Sequence, residues 1–348
     1  RVGSNLERIV VVMPSSPRDA ALWLECAQRL PHMAIIAPDG EGRSDWPADA
    51  PVHFLPAVGG EEQTIQWIPK LRKALSGFRP QLVHAHCEPW GTVVESVART
   101  GIPYSIHAGE NIWWRAPRRN RIRRFRAPRL MSGAAGYVNW GRTGLEEFST
   151  VGLRPGTPVE TIPACPPDPR RFKKTPVGIA DGPLRVAMVT RMVRAKGVTD
   201  LIRAASEPAL RTAVTLRLVG DGPDLVEFKQ LAQQLGVSVE FLGWGDAQTV
   251  QGVLEWSEIA AMPSRSSQVN TEQWGRSAVE AMLTGRAVLA SDSGELPNLI
   301  GNPALIHRQG DWESLAERVE WILQRRSSLG ELGGAAWQRA QDFTPESL

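Results

Sequence analysis

The sequence predicts an α/β protein built from two Rossmann-like domains that face each other across a cleft. Three observations predict it. Short apolar runs alternate with helix-like stretches through the first half, a proline-rich break follows, and the same alternation then restarts. Alternating strands and helices imply a parallel sheet covered on both faces, and ligands of such sheets bind beyond the C-terminal strand ends. A chain of 348 residues is long enough for two ordinary domains.

In the first half, Glu7–Met13 reads as a buried strand and Asp19–Leu30 as an amphipathic helix. His32–Ala37 and Val52–Leu55 read as strands, Glu61–Ser76 as a helix, Gln81–His86 as a strand, Trp90–Thr100 as a helix and Ile102–His107 as a strand. Ala135–Asn139, Thr143–Val151 and Val159–Ile162 continue the series as strand, helix and strand. Pro163 to Pro183 holds six prolines in 21 residues, which suits an exposed connector. The expected domains are therefore 1–165 and 184–348, joined by a linker over 166–183. In the second, Leu184–Thr190, Val214–Val219, Val237–Leu242, Ile259–Met262 and Ala287–Ala290 read as strands. Val198–Ala205, Pro223–Leu235, a stretch from Gly275 to Leu283, and Asp311–Gln324 read as helices.

Composition excludes several classes. Cys26, Cys87 and Cys165 are few, odd in number and far apart, against a disulfide scaffold or a zinc ribbon and for a reducing cytosol. No apolar run reaches the length of a bilayer span, and none reads as a signal peptide. Net charge is only +3, yet eight arginines and no acid lie between Arg115 and Arg129. The basicity is one local feature, with Trp113, Trp114, Ile122 and Phe125 interspersed. Pro117 and Pro128 limit any helix there to about ten residues. Such a segment fits an anionic membrane surface or an anionic acceptor, with Trp113, Trp114, Arg118 and Arg119 on that side. It also fits a solvated, salt-bridged helix. Single-stranded nucleic acid is a further reading, which leaves the second half unexplained.

Three motifs carry the chemistry. Glu272 and Glu280 are separated by seven residues, with Gly275 between them and a helix starting nearby. Free N–H groups at a helix start suit a diphosphate, and Gly275, Arg276 and Ser277 would present them. Carboxylates on either side would suit the hydroxyls of a sugar and of a ribose; a surface helix with a glutamate at each end is the plainer alternative. Arg191 and Lys196 follow a strand and converge if the loop turns at Gly197. Leu218-Val-Gly220-Asp-Gly222-Pro is again strand-to-helix, but lacks the third glycine and the acid of a dinucleotide fingerprint. No Asp-x-Asp triplet occurs, so the cations and the helix start would carry the diphosphate charge without a metal.

These motifs, with Ser291-Asp-Ser-Gly-Glu-Leu-Pro-Asn298 after them, resemble the retaining glycosyltransferases of family 4, which have the GT-B fold. The resemblance is strongest from Leu184 to Ile306. It implies that Arg191 and Lys196 hold the diphosphate of a nucleoside-diphosphate sugar, with UDP favoured over GDP. Glu272 then meets the transferred hexose and Glu280 the ribose, with Gly220 beside the donor. Leu82-Val-His84-Ala-His86 and His107 match the family's first domain, His107 lying near the sugar. His84 and His86 with Cys87 and Glu88 also allow a metal reading, but cleft-lining imidazoles are plainer. Catalysis would rest on His107 and Glu272, with no cofactor and no metal. The acceptor would be a hydroxyl of a polysaccharide, lipid-linked or secondary-metabolite precursor, at the inner face of the cell membrane or in the cytoplasm. Departures are Pro14-Ser-Ser-Pro17 for paired glycines, Ala164-Cys165-Pro166-Pro167 near the hinge, and Asn298 for a glutamate. A sugar-nucleotide epimerase of the same fold is the alternative.

Overall fold

A computed structural model describes residues 8–13, 21–30, 32–39, 46, 50–58, 68–109, 121–163, 166–267 and 271–348, with the backbone alone at 21 and 121–124. The chain divides into two compact units, Arg1–Cys165 and Pro166–Leu348. Among the described residues, no helix is long and apolar enough to cross a membrane.

The first unit runs β1 (Ile9–Val12), α1 (Ala21–Arg29), β2 (Met33–Asp39), β3 (Val52–Pro56), α2 (Leu71–Phe78), β4 (Leu82–His86), α3 (Thr92–Ala98), β5 (Tyr104–Ala108), α4 (Arg121–Ser132), β6 (Gly136–Asn139), α5 (Arg142–Ser149) and β7 (Val159–Thr161). Its seven strands lie in the order β3-β2-β1-β4-β5-β6-β7, every neighbour parallel. The inner strands are near-continuous apolar runs because both faces are covered, as parallel sheets require. The core gathers Val10, Val12, Val83, Ala85 and Ile106 from the strands with Leu75, Val94, Val97 and Phe148 from the helices.

The second unit runs β8 (Leu184–Val189), α6 (Val198–Ala205), β9 (Val214–Val219), α7 (Leu225–Leu235), β10 (Val239–Phe241), α8 (Ala247–Trp256), β11 (Ile259–Met262), α9 (Arg276–Leu283), β12 (Ala287–Ser291), α10 (Leu296–Ile300), β13 (Ile306–His307), α11 (Trp312–Leu323) and α12 (Leu329–Ala340). Its six parallel strands lie in the order β10-β9-β8-β11-β12-β13. Counted within each unit, both sheets begin 3-2-1-4-5-6, the doubly wound order. Its direction reverses between β8 and β11, so loops leaving those two strands flank the crevice where such sheets take ligands.

Several elements differ from the sequence reading. The helix expected over Glu61–Ser76 appears as α2; residues 59–67 lie outside the described residues. Helix α4 runs for 12 residues with Pro128 inside it, so Pro128 does not end the helix. Ala127, Leu130 and Met131 are buried on either side of it, and that packing outweighs the hydrogen bond a proline forgoes. Helices α8 and α12 were not anticipated. The proline-rich stretch from 166 to 183 is exposed along much of its length, yet belongs to the second unit. Phe172 is buried in that unit's core.

Arg286 fastens this stretch. Its side chain is fully buried. It donates to the carbonyls of Leu254, Ser257, Thr175 and Thr284 at 2.9 Å each, and to Glu255 O and Thr175 Oγ1 at 3.1 and 3.0 Å. One guanidinium thus caps the end of α8 and ties Thr175 to the turn before β12. Arg286→Met should cost about 3–5 kcal/mol, because several buried carbonyls lose their donor together. Urea unfolding of the full chain checks this, and a loss within about 0.5 kcal/mol would show that water replaces the guanidinium without penalty.

Candidate active site

The loop after β8 and the loop after β11 meet at the sheet's switch point. Gly197 lies in the left-handed region at φ 71°, and a Cβ there would stand 1.8 Å from Pro263 O. A side chain is therefore excluded, and the two backbones touch. Gly220, at φ 138°, likewise abuts Thr190 O, where a Cβ would come within 1.7 Å. The Gly220 N–H donates to Gly243 O at 2.7 Å, and Met192 N–H to Asp221 O at 2.9 Å. The Gly220-Asp-Gly222 turn thus braces the Arg191–Lys196 loop.

The contact brings Lys196 to Glu272. Lys196 Nζ lies 2.6 Å from Glu272 Oε2, and Ser264 Oγ donates to the same oxygen at 2.7 Å. The pair is partly buried, at 26% and 10% side-chain exposure, so solvent screens it less than a surface pair. Glu272 is held from behind as well, its carbonyl accepting the Glu295 N–H at 3.0 Å. The loop that carries it is pinned through Arg265, whose guanidinium pairs with the buried Asp200. Ser266 Oγ adds hydrogen bonds to Thr271 Oγ1 and Ser293 Oγ at 2.6 and 2.8 Å. Residues 268–270 of this loop lie outside the described residues.

Helix α9 starts at Arg276 behind Gly275, which sits at φ 96°. The first turn of a helix offers N–H groups without acceptors inside the helix, and here it opens beside Glu272 in sequence. Arg276 Nε is 2.9 Å from Glu280 Oε1. Burial pushes the Glu280 carboxyl above its ordinary range, against the pull of Arg276. Arg191 is exposed and makes no ion pair among the described residues. On the loop after β10, Trp244 is exposed at 73%, next to the Gly243 carbonyl that holds Gly220.

The first unit holds a second cluster. His84 and His86 on β4 and His107 on β5 are all buried, with Trp23 of α1 against them. Ring centroids are 4.7 Å apart for His86–His107 and 5.5 Å for His84–His107. His107 Nε2 is 2.6 Å from Ile162 O; a carbonyl only accepts, so Nε2 carries the proton. His107 Nδ1 is then a bare acceptor, and it is buried without a partner. Trp23 Nε1–H points at His86 Nδ1 at 3.3 Å, and His84 Nδ1 shares a 2.7 Å hydrogen bond with Ser105 Oγ. Glu88 Oε1 accepts the Gly109 N–H at 3.1 Å, linking the loops after β4 and β5. Among the described residues, no set of three or more His, Cys, Asp or Glu is arranged to hold a metal ion.

Of the sequence-derived residues, Lys196 and Glu272 come into contact, Arg276 pairs with Glu280, and Gly220, Gly275 and Ser277 line the adjoining turns. Trp113, Trp114, Arg118 and Arg119 lie outside the described residues. Ser264, Arg265 and Asp200 were missed. Their one sequence signal is Pro263-Ser-Arg265 directly after the apolar run of β11. Trp23 was missed too, since it reads as an ordinary apolar helix position.

Residues 169–339 match the family model described as glycosyl transferases group 1. The second unit belongs to that family. A GDP-mannose-dependent monoacylated alpha-(1-6)-phosphatidylinositol monomannoside mannosyltransferase of Corynebacterium glutamicum is 29% identical over 191 residues, 53% of this chain and 50% of that one. A D-inositol 3-phosphate glycosyltransferase of Nocardia farcinica is 32% identical over 196 residues, 51% of this chain and 41% of the relative. The chain thus spans about half the length, or less, of these curated relatives. Among solved structures, Anabaena HepE in complex with UDP has a TM-score of 0.77 at 20% identity, covering 98% of this chain and 96% of that one. Sucrose-phosphate synthase from Thermosynechococcus elongatus has a TM-score of 0.76 at 18% identity, with the same coverage. These likenesses show the fold: two parallel-sheet α/β domains, as in GT-B glycosyltransferases.

The histidine cluster should make the first unit sensitive to acid. Burial depresses all three imidazoles, His84 to about 3 and His107 to about 4, from an ordinary 6.5. Neighbouring imidazoles add to this at His84 and His86, while the Ile162 carbonyl raises His107. A histidine with a depressed folded-state pKa binds its proton in the unfolded chain first, so its contribution is full above 6.5 and falls as pH drops below it. Each histidine should then remove about 1.4 kcal/mol per pH unit between roughly pH 6.5 and 5, above the carboxylate range. Urea unfolding across that window, compared with His84→Phe, checks the slope. An unchanged slope in the variant would remove His84 from the account.

Proposed function

We propose that this chain is a retaining glycosyltransferase. It moves a hexose from a nucleoside-diphosphate sugar to a hydroxyl acceptor, with UDP favoured over GDP as donor nucleotide. The observation that carries the reading is the meeting of Lys196, Ser264 and Glu272 at the switch point, beside the start of α9. Cation, carboxylate and helix N-terminus would then stand where a diphosphate joins a sugar. Support comes from the family match and from relatives whose names state GDP-mannose dependence or whose structures hold UDP.

In this reading, Arg191 and Lys196 take the diphosphate, with the N–H groups of Gly275, Arg276 and Ser277. Lys196 trades its carboxylate partner for phosphate oxygens as the donor binds. Glu272, still held by Ser264, turns to the sugar hydroxyls. Glu280 takes the ribose diol, and Gly220 lets the nucleotide approach the backbone. The bond between the anomeric carbon and the phosphate oxygen breaks while the acceptor oxygen bonds to that carbon. The acceptor proton passes to the departing phosphate, giving a nucleoside diphosphate and a glycoside. The protein's share is positioning and stabilisation of leaving-group charge, with no metal ion. His107, with a bare Nδ1, would accept a hydrogen bond from a substrate hydroxyl.

The acceptor would be a glycan, lipid-linked or small-molecule hydroxyl compound. The arginine-rich segment from Arg115 to Arg129 would contact an anionic acceptor or a membrane surface, and the enzyme would work in the cytoplasm or at the inner face of the cell membrane. An epimerase would yield an altered nucleotide sugar without an acceptor, which product analysis distinguishes.

Two measurements test the reading. Arg191→Ala and Lys196→Ala should each weaken nucleoside-diphosphate binding by about 1.5–3 kcal/mol in calorimetry, with or without EDTA. Unchanged affinity in both would sink the donor assignment, and a need for added Mg²⁺ would sink metal independence. The two glutamates should separate. Glu280→Ala should weaken binding of the free nucleoside diphosphate. Glu272→Ala should lower turnover and leave that binding nearly intact. Equal losses of nucleotide binding would overturn this division of roles.

A further inference from the structure

A cavity of about 390 Å³ opens in the first unit between α3, α4 and the beginning of β5. It is lined by Glu95 and Arg99 at the end of α3, by Tyr104, and by Phe125, Arg126 and Arg129 of α4. The volume lies within the range of small-molecule pockets. Tyr104 opens β5, whereas His107 stands three residues further on. An odd spacing along a strand places the two side chains on opposite faces, and their positions are roughly 10 Å apart. The cavity is therefore separate from the histidine cluster.

Its electrostatics are lopsided. Glu95 is the one acid in the lining, and both its oxygens are in use: Arg99 Nη2 reaches Oε1 at 2.7 Å and Arg126 Nη2 reaches Oε2 at 3.1 Å. Arg129 has no ion pair among the described residues. Three guanidiniums share one carboxylate, which leaves two positive charges uncompensated. The Tyr104 hydroxyl is spent on Leu130 O at 2.6 Å, so it fixes the wall and adds no charge. Phe125, 78% exposed, supplies an apolar face to the lining.

We infer that this cavity is a binding site for a phosphomonoester carried on an apolar group. A dianionic monoester matches the net charge of +2 carried by the lining, which a singly charged diester does not. Arg129 and Arg126 meet the phosphate oxygens, and the apolar portion lies on Phe125. The monoester is either a soluble metabolite or the headgroup of a phosphatidic-acid-like lipid.

Calorimetry with phenyl phosphate and with inorganic phosphate tests the site. The protein used is the full chain carrying Arg191→Ala and Lys196→Ala, so that phosphate binding at the proposed donor site does not contribute and failure of either reading shows separately. Phenyl phosphate should bind at one saturable site and more tightly than inorganic phosphate. Arg129→Gln should weaken it about tenfold, and Phe125→Ala should abolish the preference for the phenyl ester. Co-sedimentation with phosphatidic acid vesicles, against phosphatidylglycerol vesicles, distinguishes the sources. Preferential pelleting that Arg129→Gln removes assigns the headgroup; phenyl phosphate binding without it assigns a soluble monoester. No binding in either arm, or binding that neither substitution changes, overturns the inference. Far-UV circular dichroism confirms that both variants fold.

Discussion

Direct contact between backbones at the switch point of the second sheet is the constraint on which the candidate site depends. Gly197 rests on the Pro263 carbonyl and Gly220 on that of Thr190. With side chains at these positions, the loop after β8 would stand off from its neighbours by the width of a methyl group or more. Lys196 would then no longer reach Glu272. Packing this close leaves little slack, so a short ion pair is held in place by main-chain contact and not by the pair itself. The charges add chemistry to a geometry already set.

The network behind that contact has the same character. Asp200 is buried at the start of α6, where the helix N-terminus favours a carboxylate, and it draws Arg265 inward. Ser264, Ser266, Thr271 and Ser293 are short hydroxyl side chains that bond across a loop without filling space. These hydrogen bonds hold the described part of the loop in shape. Glu272 is thereby oriented before any ligand arrives, which lowers the ordering cost of binding.

Much of the fold was legible because parallel strands buried on both faces are unmistakable apolar runs. IVVV of β1 and LRVAMV of β8 read correctly for that reason. Helices without strong amphipathic patterning were not legible. Helix α12, with three glycines in its sequence, gives no periodic signal, yet Leu329, Gly333 and Ala340 are buried in it. Helix α4 was obscured by Pro128, because local propensity cannot anticipate tertiary packing. At the site, Glu272, Glu280, Arg191 and Lys196 were visible through spacing. Ser264 and Asp200 were not, because a serine and an aspartate acquire meaning only from what the fold sets beside them. The pairing of Arg276 with Glu280 is a one-turn helix contact, open to anyone counting by four.

Arg286 links residues far apart in the chain, joining Thr175 to the turn before β12 as a staple would. Unlike a disulfide, it disappears when the chain unfolds. It does not shorten the loops of the denatured ensemble, and all of its contribution is made in the native state. A staple of this kind is indifferent to thiols and oxidants. It therefore works equally well in reducing and oxidising surroundings, and it reforms without catalysis each time the domain refolds.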